Sequence, residues 1–273
     1  MKSSVCPQPS GFSLTEILVT SGIIAVLALA GAGACQSILS KRAKVQELAA
    51  GKTLITAYLT CAADNDGRYL PGMDFSVNKI AFPPENREVT VMHAANRYPF
   101  RLAPYFEYQL EGTVLLSGNR EHIAKIAKPG TPMHDYVVSA FPSFGINYYF
   151  VGGCLNGTGG LTYPNECVSR TAQGGGSLLV FASGGATDGM TRVEGFNILT
   201  PPQLYAAAWS GIAWKKGSDP GLYGNVDARH EGKAVCAFLD GSVRLLSIEE
   251  LRDMQLWNRN AAEQKDPAYT IPL

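Results

Sequence analysis

From Ile17 to Ser40 the chain carries no charged side chain. As a helix these 24 residues would run about 36 Å, at 1.5 Å per residue. A bilayer core of about 30 Å takes roughly 20 mostly apolar residues, so the run predicts a membrane-spanning helix. Beyond it Val45, Leu48, Ala49, Leu54, Ile55, Tyr58 and Leu59 recur at spacings near three and four, which extends the prediction into an amphipathic helix. Gly51 weakens that helix by roughly 1 kcal/mol relative to Ala. Asn65-Asp66-Gly67 ends it, with Pro71 beyond.

The pattern then breaks up. Pro83-Pro84, Pro99, Pro104, Pro129 and Pro132 exclude long elements between residues 65 and 135. A short helix or turn is expected over 97–105, and short strands over 113–117 and 136–140. Phe144 to Val151 alternates as a strand would, and Leu178-Leu179-Val180-Phe181-Ala182-Ser183 reads as a central strand. The Gly-rich stretch 152–177 and the Trp-containing stretch 195–226 read as long loops. Two strand-like runs flank Asp240-Gly241, a two-residue hairpin signal. A short helix over 248–260 closes the chain, with Glu249 and Glu250 near its start and Arg259 near its end, as the helix dipole prefers.

Composition narrows the function classes. The 273 residues are 46% hydrophobic and 17% charged, with 23 basic against 23 acidic side chains. A charge-rich disordered chain is excluded. The balance gives no electrostatic reason to expect nucleic acid as a partner, and the aromatic residues form no basic, interleaved strip.

The uncharged run lies near the N-terminus, where targeting segments lie. An ordinary secretory signal has an apolar stretch of roughly 7–15 residues, shorter than this one. A lipoprotein signal is the second reading, because Ala32-Gly33-Ala34-Cys35 places small residues before a cysteine. The third fits best. Gly11-Phe12-Ser13-Leu14-Thr15-Glu16 resembles the cleavage and methylation motif of type IV prepilins and type II secretion pseudopilins. The resemblance implies cleavage by a prepilin peptidase between Gly11 and Phe12, N-methylation of Phe12, and pairing of Glu16 with the N-terminal amine of a neighbouring subunit. Lys41, Arg42 and Lys44 follow the run, where the positive-inside rule alone would favour the opposite orientation. The motif is preferred because its peptidase works on the cytoplasmic face.

At the other end, His230 and Asp240 are separated by nine residues and Gly241 follows. This resembles the H-X9-DG segment of pseudopilin-like proteins. The two resemblances cover both ends of the chain and leave its middle unassigned. They imply an α+β pilin-like lollipop, with a long N-terminal membrane-spanning helix packed on an antiparallel-sheet head. The domains are then a leader at 1–11, a transmembrane helix at 12–40 and an extracytoplasmic head at 41–273. The implied place is the inner membrane, single-pass, with the head in the periplasm. The implied partners are prepilin peptidase, other pilin-like subunits and the inner membrane. Small residues such as Gly22, Ala25, Gly31 and Gly33 would let helices approach closely.

The function expected is therefore structural, a pseudopilin-like subunit of a type II secretion or type IV pilus-like filament, and not an enzyme. The alternatives are a surface pilin or adhesin that binds a ligand, and a lipoprotein anchored at Cys35. Cys154 and Cys167 bracket one Gly-rich loop, and a bridge between them would contribute about 3 kcal/mol by chain entropy. Cys61 and Cys236 would be the remaining pair. His230 reads as a hydrogen-bonded structural residue that bonds backbone or Asp240. No zinc spacing, nucleophile elbow or phosphate loop occurs. No cofactor is expected; the resemblance adds calcium only as an alternative, with Asp219, Asp227 and Asp240 as the candidate ligands. Asp64-Asn65-Asp66-Gly67 begins like a calcium loop but lacks the distal ligands and reads as a helix end.

Overall fold

The computed structural model describes the backbone of residues 14–271 except Met190, Tyr205 and Ala206. It describes side chains from Ile38 onward, except those of Met92, Ser117, Asp188 and Ala207. The chain divides into two compact units, Met1–Ala43 and Lys44–Leu273. Of the first, the structure describes helical backbone from Leu14 and exposed side chains from Ile38.

Helix α1 spans Leu14–Asp64. From residue 47 onward its buried positions are Glu47, Ala50, Gly51, Leu54, Ile55, Ala57, Tyr58, Cys61 and Ala62. Their three- and four-residue spacing makes one core-facing stripe. The helix stops where the backbone turns left-handed, at Asp66 (φ 54°) and Gly67 (φ 73°). Gly67 N–H closes the end on the Ala62 carbonyl at 2.8 Å.

Among the described residues no helix is long and apolar enough to cross a membrane. This corrects the expectation of a spanning helix over 12–40. With it go the lollipop built on that helix and the inner-membrane placement with a periplasmic head. The described side chains of α1 include Lys41, Arg42, Lys44, Glu47 and Lys52, a charge density that a bilayer core does not accept. The side chains of the uncharged run up to residue 37 lie outside the described residues, as do Gly11 and Phe12.

The architecture is α+β around a five-stranded sheet. Its strands are β1 (Phe144–Asn147), β2 (Leu179–Ser183), β3 (Ile198–Leu199), β4 (Lys233–Phe238) and β5 (Val243–Ser247), in the spatial order β5-β4-β2-β1-β3. Four strands pair antiparallel, but β3 joins β1 in parallel, with Ile146 opposite Ile198. The sheet is therefore mixed, not the antiparallel one expected. Asn197 N–H reaches the Ala140 carbonyl at 3.0 Å and Ile146 N–H the Asn197 carbonyl at 3.1 Å, which hold the chain in that direction.

Both faces of the sheet are covered. Val235 and Ala237 of β4 join the cluster that contains Leu54, Ile55 and Tyr58 of α1. Ala234, Cys236 and Phe238 turn the other way, into a cluster with Trp209, Tyr223, Leu251, Met254 and Trp257. This alternation is the period-two signature of a strand. Gly51 lets α1 lie close to the sheet, since a Cβ there would already stand 3.3 Å from Val235 Cγ1 and 3.4 Å from Val243 Cγ1.

Two further expectations are corrected. Residues 136–140 lie in a helix, Pro132–Ala140, started by Thr131, whose hydroxyl accepts from His134 N–H at 3.2 Å. Residues 113–117 are not a strand but lead into the helix Ser117–Ile126. The closing segment is split into Ile248–Leu251, a 3-10 turn Met254–Leu256 and Arg259–Gln264.

Candidate functional site

The chain buries a carboxylate on α1. Glu47 is 3% exposed and opens the apolar stripe of the helix. Its partners arrive from far along the sequence. Ser183 ends β2, and Gly184 pairs with Val226 as an isolated bridge. Asp227 N–H bonds the Ser183 carbonyl at 2.9 Å. The residues Asp227, Arg229 and His230, just ahead of β4, are thereby laid against the end of β2.

Every acceptor position of Glu47 is then taken. Arg229 grips it with two parallel bonds, Nε to Oε2 at 3.0 Å and Nη2 to Oε1 at 2.9 Å. Ser183 Oγ donates to Oε1 at 2.5 Å, and His230 Nε2 lies 2.8 Å from Oε2. A carboxylate only accepts, so Nε2 of His230 carries the proton of that bond. The Arg229 guanidinium is equally occupied. Its remaining N–H groups reach the Ser143 carbonyl and the Gly184 carbonyl at 2.9 Å each, and Asp227 Oδ2 at 3.4 Å. Arg192 closes on the other oxygen of Asp227.

The electrostatics follow from this geometry. Burial pushes the Glu47 carboxyl up, but the Arg229 charge and the bonds from His230 and Arg229 outweigh it and hold the group at about 2. For Asp227 burial wins over Arg229 and Arg192, and its carboxyl is raised. For Arg229 desolvation is overcome by Glu47 and Asp227, so its guanidinium titrates above the ordinary range. With the Glu47 carboxylate and the Arg229 guanidinium both fully engaged, the cluster fixes α1 against the sheet.

The same helix is held a second time. Lys52 Nζ donates to the Gly241 carbonyl at 2.8 Å. Gly241 sits at φ 78° in the β4–β5 turn, where Gly241 N–H bonds the Phe238 carbonyl at 2.9 Å and Phe238 N–H bonds the Ser242 carbonyl at 3.0 Å. The loop is thus Leu239-Asp240-Gly241, a turn closed by a left-handed glycine, rather than the two-residue turn expected. Asp240 accepts from Ser242 N–H at 2.8 Å inside it. His230 does not bond Asp240; its ring goes to Glu47. The histidine and the glycine that bracket β4 are both tied to α1, at Glu47 and Lys52.

The remaining expected sites fall elsewhere. Cys61, Cys154, Cys167 and Cys236 are free and buried, so the expected Cys154–Cys167 bridge is not formed. Tyr148 donates its hydroxyl to Cys154 Sγ at 2.6 Å. Cys61 and Cys236 lie on opposite faces of the sheet, which rules out their pairing. Burial raises the Cys167 thiol to about 12 and lifts the Cys61 and Cys236 thiols as well, so none of these three is a ready nucleophile. Asp219 accepts from Gly221 N–H at 3.0 Å and from Thr187 Oγ1 at 2.9 Å, apart from the engagements of Asp227 and Asp240. Among the described residues no group of three His, Cys, Asp or Glu side chains comes together as a metal site. Glu16 lies in α1, but its side chain is outside the described residues.

The sequence did carry a signal for Glu47. It occupies the core-facing register of Gly51, Leu54, Tyr58 and Cys61, where an acidic residue must have a buried partner. Which residues supply that partner is not readable from spacing.

No family model, no curated protein and no solved structure matches this chain.

Proposed function

We propose that the chain is a structural subunit of a type II secretion or type IV pilus-like filament. A prepilin peptidase cuts after Gly11 and Phe12 is methylated. The N-terminal helix then joins other pilin-like subunits, and the chain performs no catalysis. The observation that carries this reading is the sequence Gly11-Phe12-Ser13-Leu14-Thr15-Glu16 directly ahead of the uncharged run from Ile17 to Ser40.

The geometry adds support of a mechanical kind. A filament subunit has to keep its fold under load. Here α1 is held to the β4–β5 hairpin by Glu47 on His230 and Arg229, and by Lys52 on the turn. Within the assembly, Glu16 would meet the amine of Phe12 in the adjacent subunit. Such a pair gains about 4 kcal/mol at ~4 Å and an effective dielectric near 20, before desolvation is subtracted.

Intact mass of the protein from its native cells tests the processing. The expected chain starts at methylated Phe12. A chain starting at lipidated Cys35, or one retaining Met1–Gly11, overturns the reading. Crosslinking between subunits tests assembly: Glu16→Leu should be cleaved normally and fold, yet lose its crosslinks.

A further inference from the structure

The loop Leu155–Leu161 projects from the short parallel pair Met73–Asp74 and Cys154–Leu155 and is closed by a bridge between Leu155 and Leu161. Its tip, residues 156–160, is exposed. It holds the single Asn-Gly pair of the chain, Asn156-Gly157. The side-chain amide oxygen of Asn156 accepts three hydrogen bonds, from Thr158 N–H at 3.1 Å, Thr158 Oγ1 at 2.7 Å and Gly160 N–H at 2.8 Å. Among the described residues Nδ2 of Asn156 and the N–H of Gly157 have no hydrogen-bond partner, and a Cβ on Gly157 would meet nothing within 4 Å.

That arrangement has a chemical meaning. Donors gathered on a carbonyl oxygen stabilise the negative charge that develops there when a nucleophile adds to its carbon. The adjacent nucleophile is the backbone nitrogen of Gly157, unbonded and unshielded by a side chain. The leaving group, Nδ2, is exposed to water.

We propose that Asn156 is a self-modification site, at which the loop converts its own asparagine to aspartate and isoaspartate. The Gly157 nitrogen attacks Cγ of Asn156, forming the N–Cγ bond while its proton passes to solvent. The Cγ–Nδ2 bond then breaks with its electron pair on nitrogen, which takes up a proton and leaves as ammonia. Water adds to either carbonyl of the resulting cyclic imide, and reopening gives aspartate or isoaspartate. Water is the only co-reactant. Both products add a negative charge to the exposed tip. Isoaspartate also inserts a methylene into the backbone and dismantles the three-bond hub, so the loop carries a record of the protein's age.

The experiment is timed incubation of the full-length protein at neutral and mildly alkaline pH. Peptide mass mapping and labelling by an isoaspartyl methyltransferase give the readout. The amide-to-acid mass change should accumulate at Asn156 ahead of every other asparagine. Gly157→Ala should slow it on the order of tenfold, because the methyl group shields the nitrogen and restricts the backbone. Thr158→Val should slow it several-fold by removing one donor, while Thr158→Ser keeps the wild-type rate. An unchanged Asn156 peptide, or faster conversion at another asparagine, overturns the site. Equal rates for Thr158→Val and wild type overturn its activation by the loop.

Discussion

Glu47 and Glu166 are buried in this protein on different terms. Glu47 is held by a guanidinium, an imidazole and a hydroxyl. Glu166, 8% exposed, is held by neutral groups: Asn258 Nδ2 at 2.8 Å, Asn260 Nδ2 at 3.0 Å and the Tyr269 hydroxyl at 3.2 Å. Each joins segments far apart in the chain. Glu47 fastens α1 to the residues ahead of β4, and Glu166 fastens the Gly-rich loop to the closing segment. The difference lies in what remains when one partner is lost. Around Glu166 the loss is one hydrogen bond among several. Around Glu47 the loss of Arg229 takes the guanidinium from a buried carboxylate, the costlier event.

Removing partners breaks the comparison most directly. Arg229→Ala should destabilise the fold by about 3–5 kcal/mol, since buried Glu47 loses its guanidinium and Asp227 keeps only Arg192. Asn260→Ala, beside Glu166, should cost only about 1 kcal/mol. Chemical denaturation of both variants gives the two values. If they cost the same, the charge-paired site has no special standing.

Acid sharpens the same contrast. The Glu47 carboxyl is depressed from 4.5 to about 2 in the folded protein. Its contribution is therefore complete above the unfolded value and is lost as pH falls from 4.5 toward 2, about 3 kcal/mol in all. Asp227 runs oppositely. Its folded value is raised above 3.8, so its protonation as pH falls through that raised value returns stability. Unfolding free energy measured down the pH scale should fall in the lower window, and Glu47→Gln should flatten the fall.

The second attachment of α1 is weaker. Gly241→Val should cost about 1–2 kcal/mol, because a β-branched residue resists the φ of 78° found there. A Cβ at this position meets nothing closer than 3.7 Å, so the cost is one of backbone and not of space. Thermal unfolding reads it. Lys52→Ala should cost least, about 0.5–1 kcal/mol, as expected of an exposed ammonium on one carbonyl. Pairing Lys52→Ala with Glu47→Gln in a double-mutant cycle asks whether the two attachments act independently.

What the sequence determined by itself was local. The stripe at three and four spacing placed α1 up to Asp64, and Asn65-Asp66-Gly67 ended it, because periodicity and turn chemistry act within a few residues. The strands at Phe144 and Leu179 and the hairpin at Gly241 were legible for the same reason. The helix Ser117–Ile126 was not, since its start rests on Asn119 accepting from Leu116 N–H at 2.9 Å and donating to the Phe141 carbonyl at 2.8 Å, the latter just past the end of the helix Pro132–Ala140. The direction of β3 and the fates of the cysteines were likewise decided by packing. The partners of Glu47 lie at Ser183, Arg229 and His230, brought to it only when the sheet forms. A pattern along the chain can say that a buried charge needs a counter-charge, but only the folded chain selects which one, because the selection is made by distance in space.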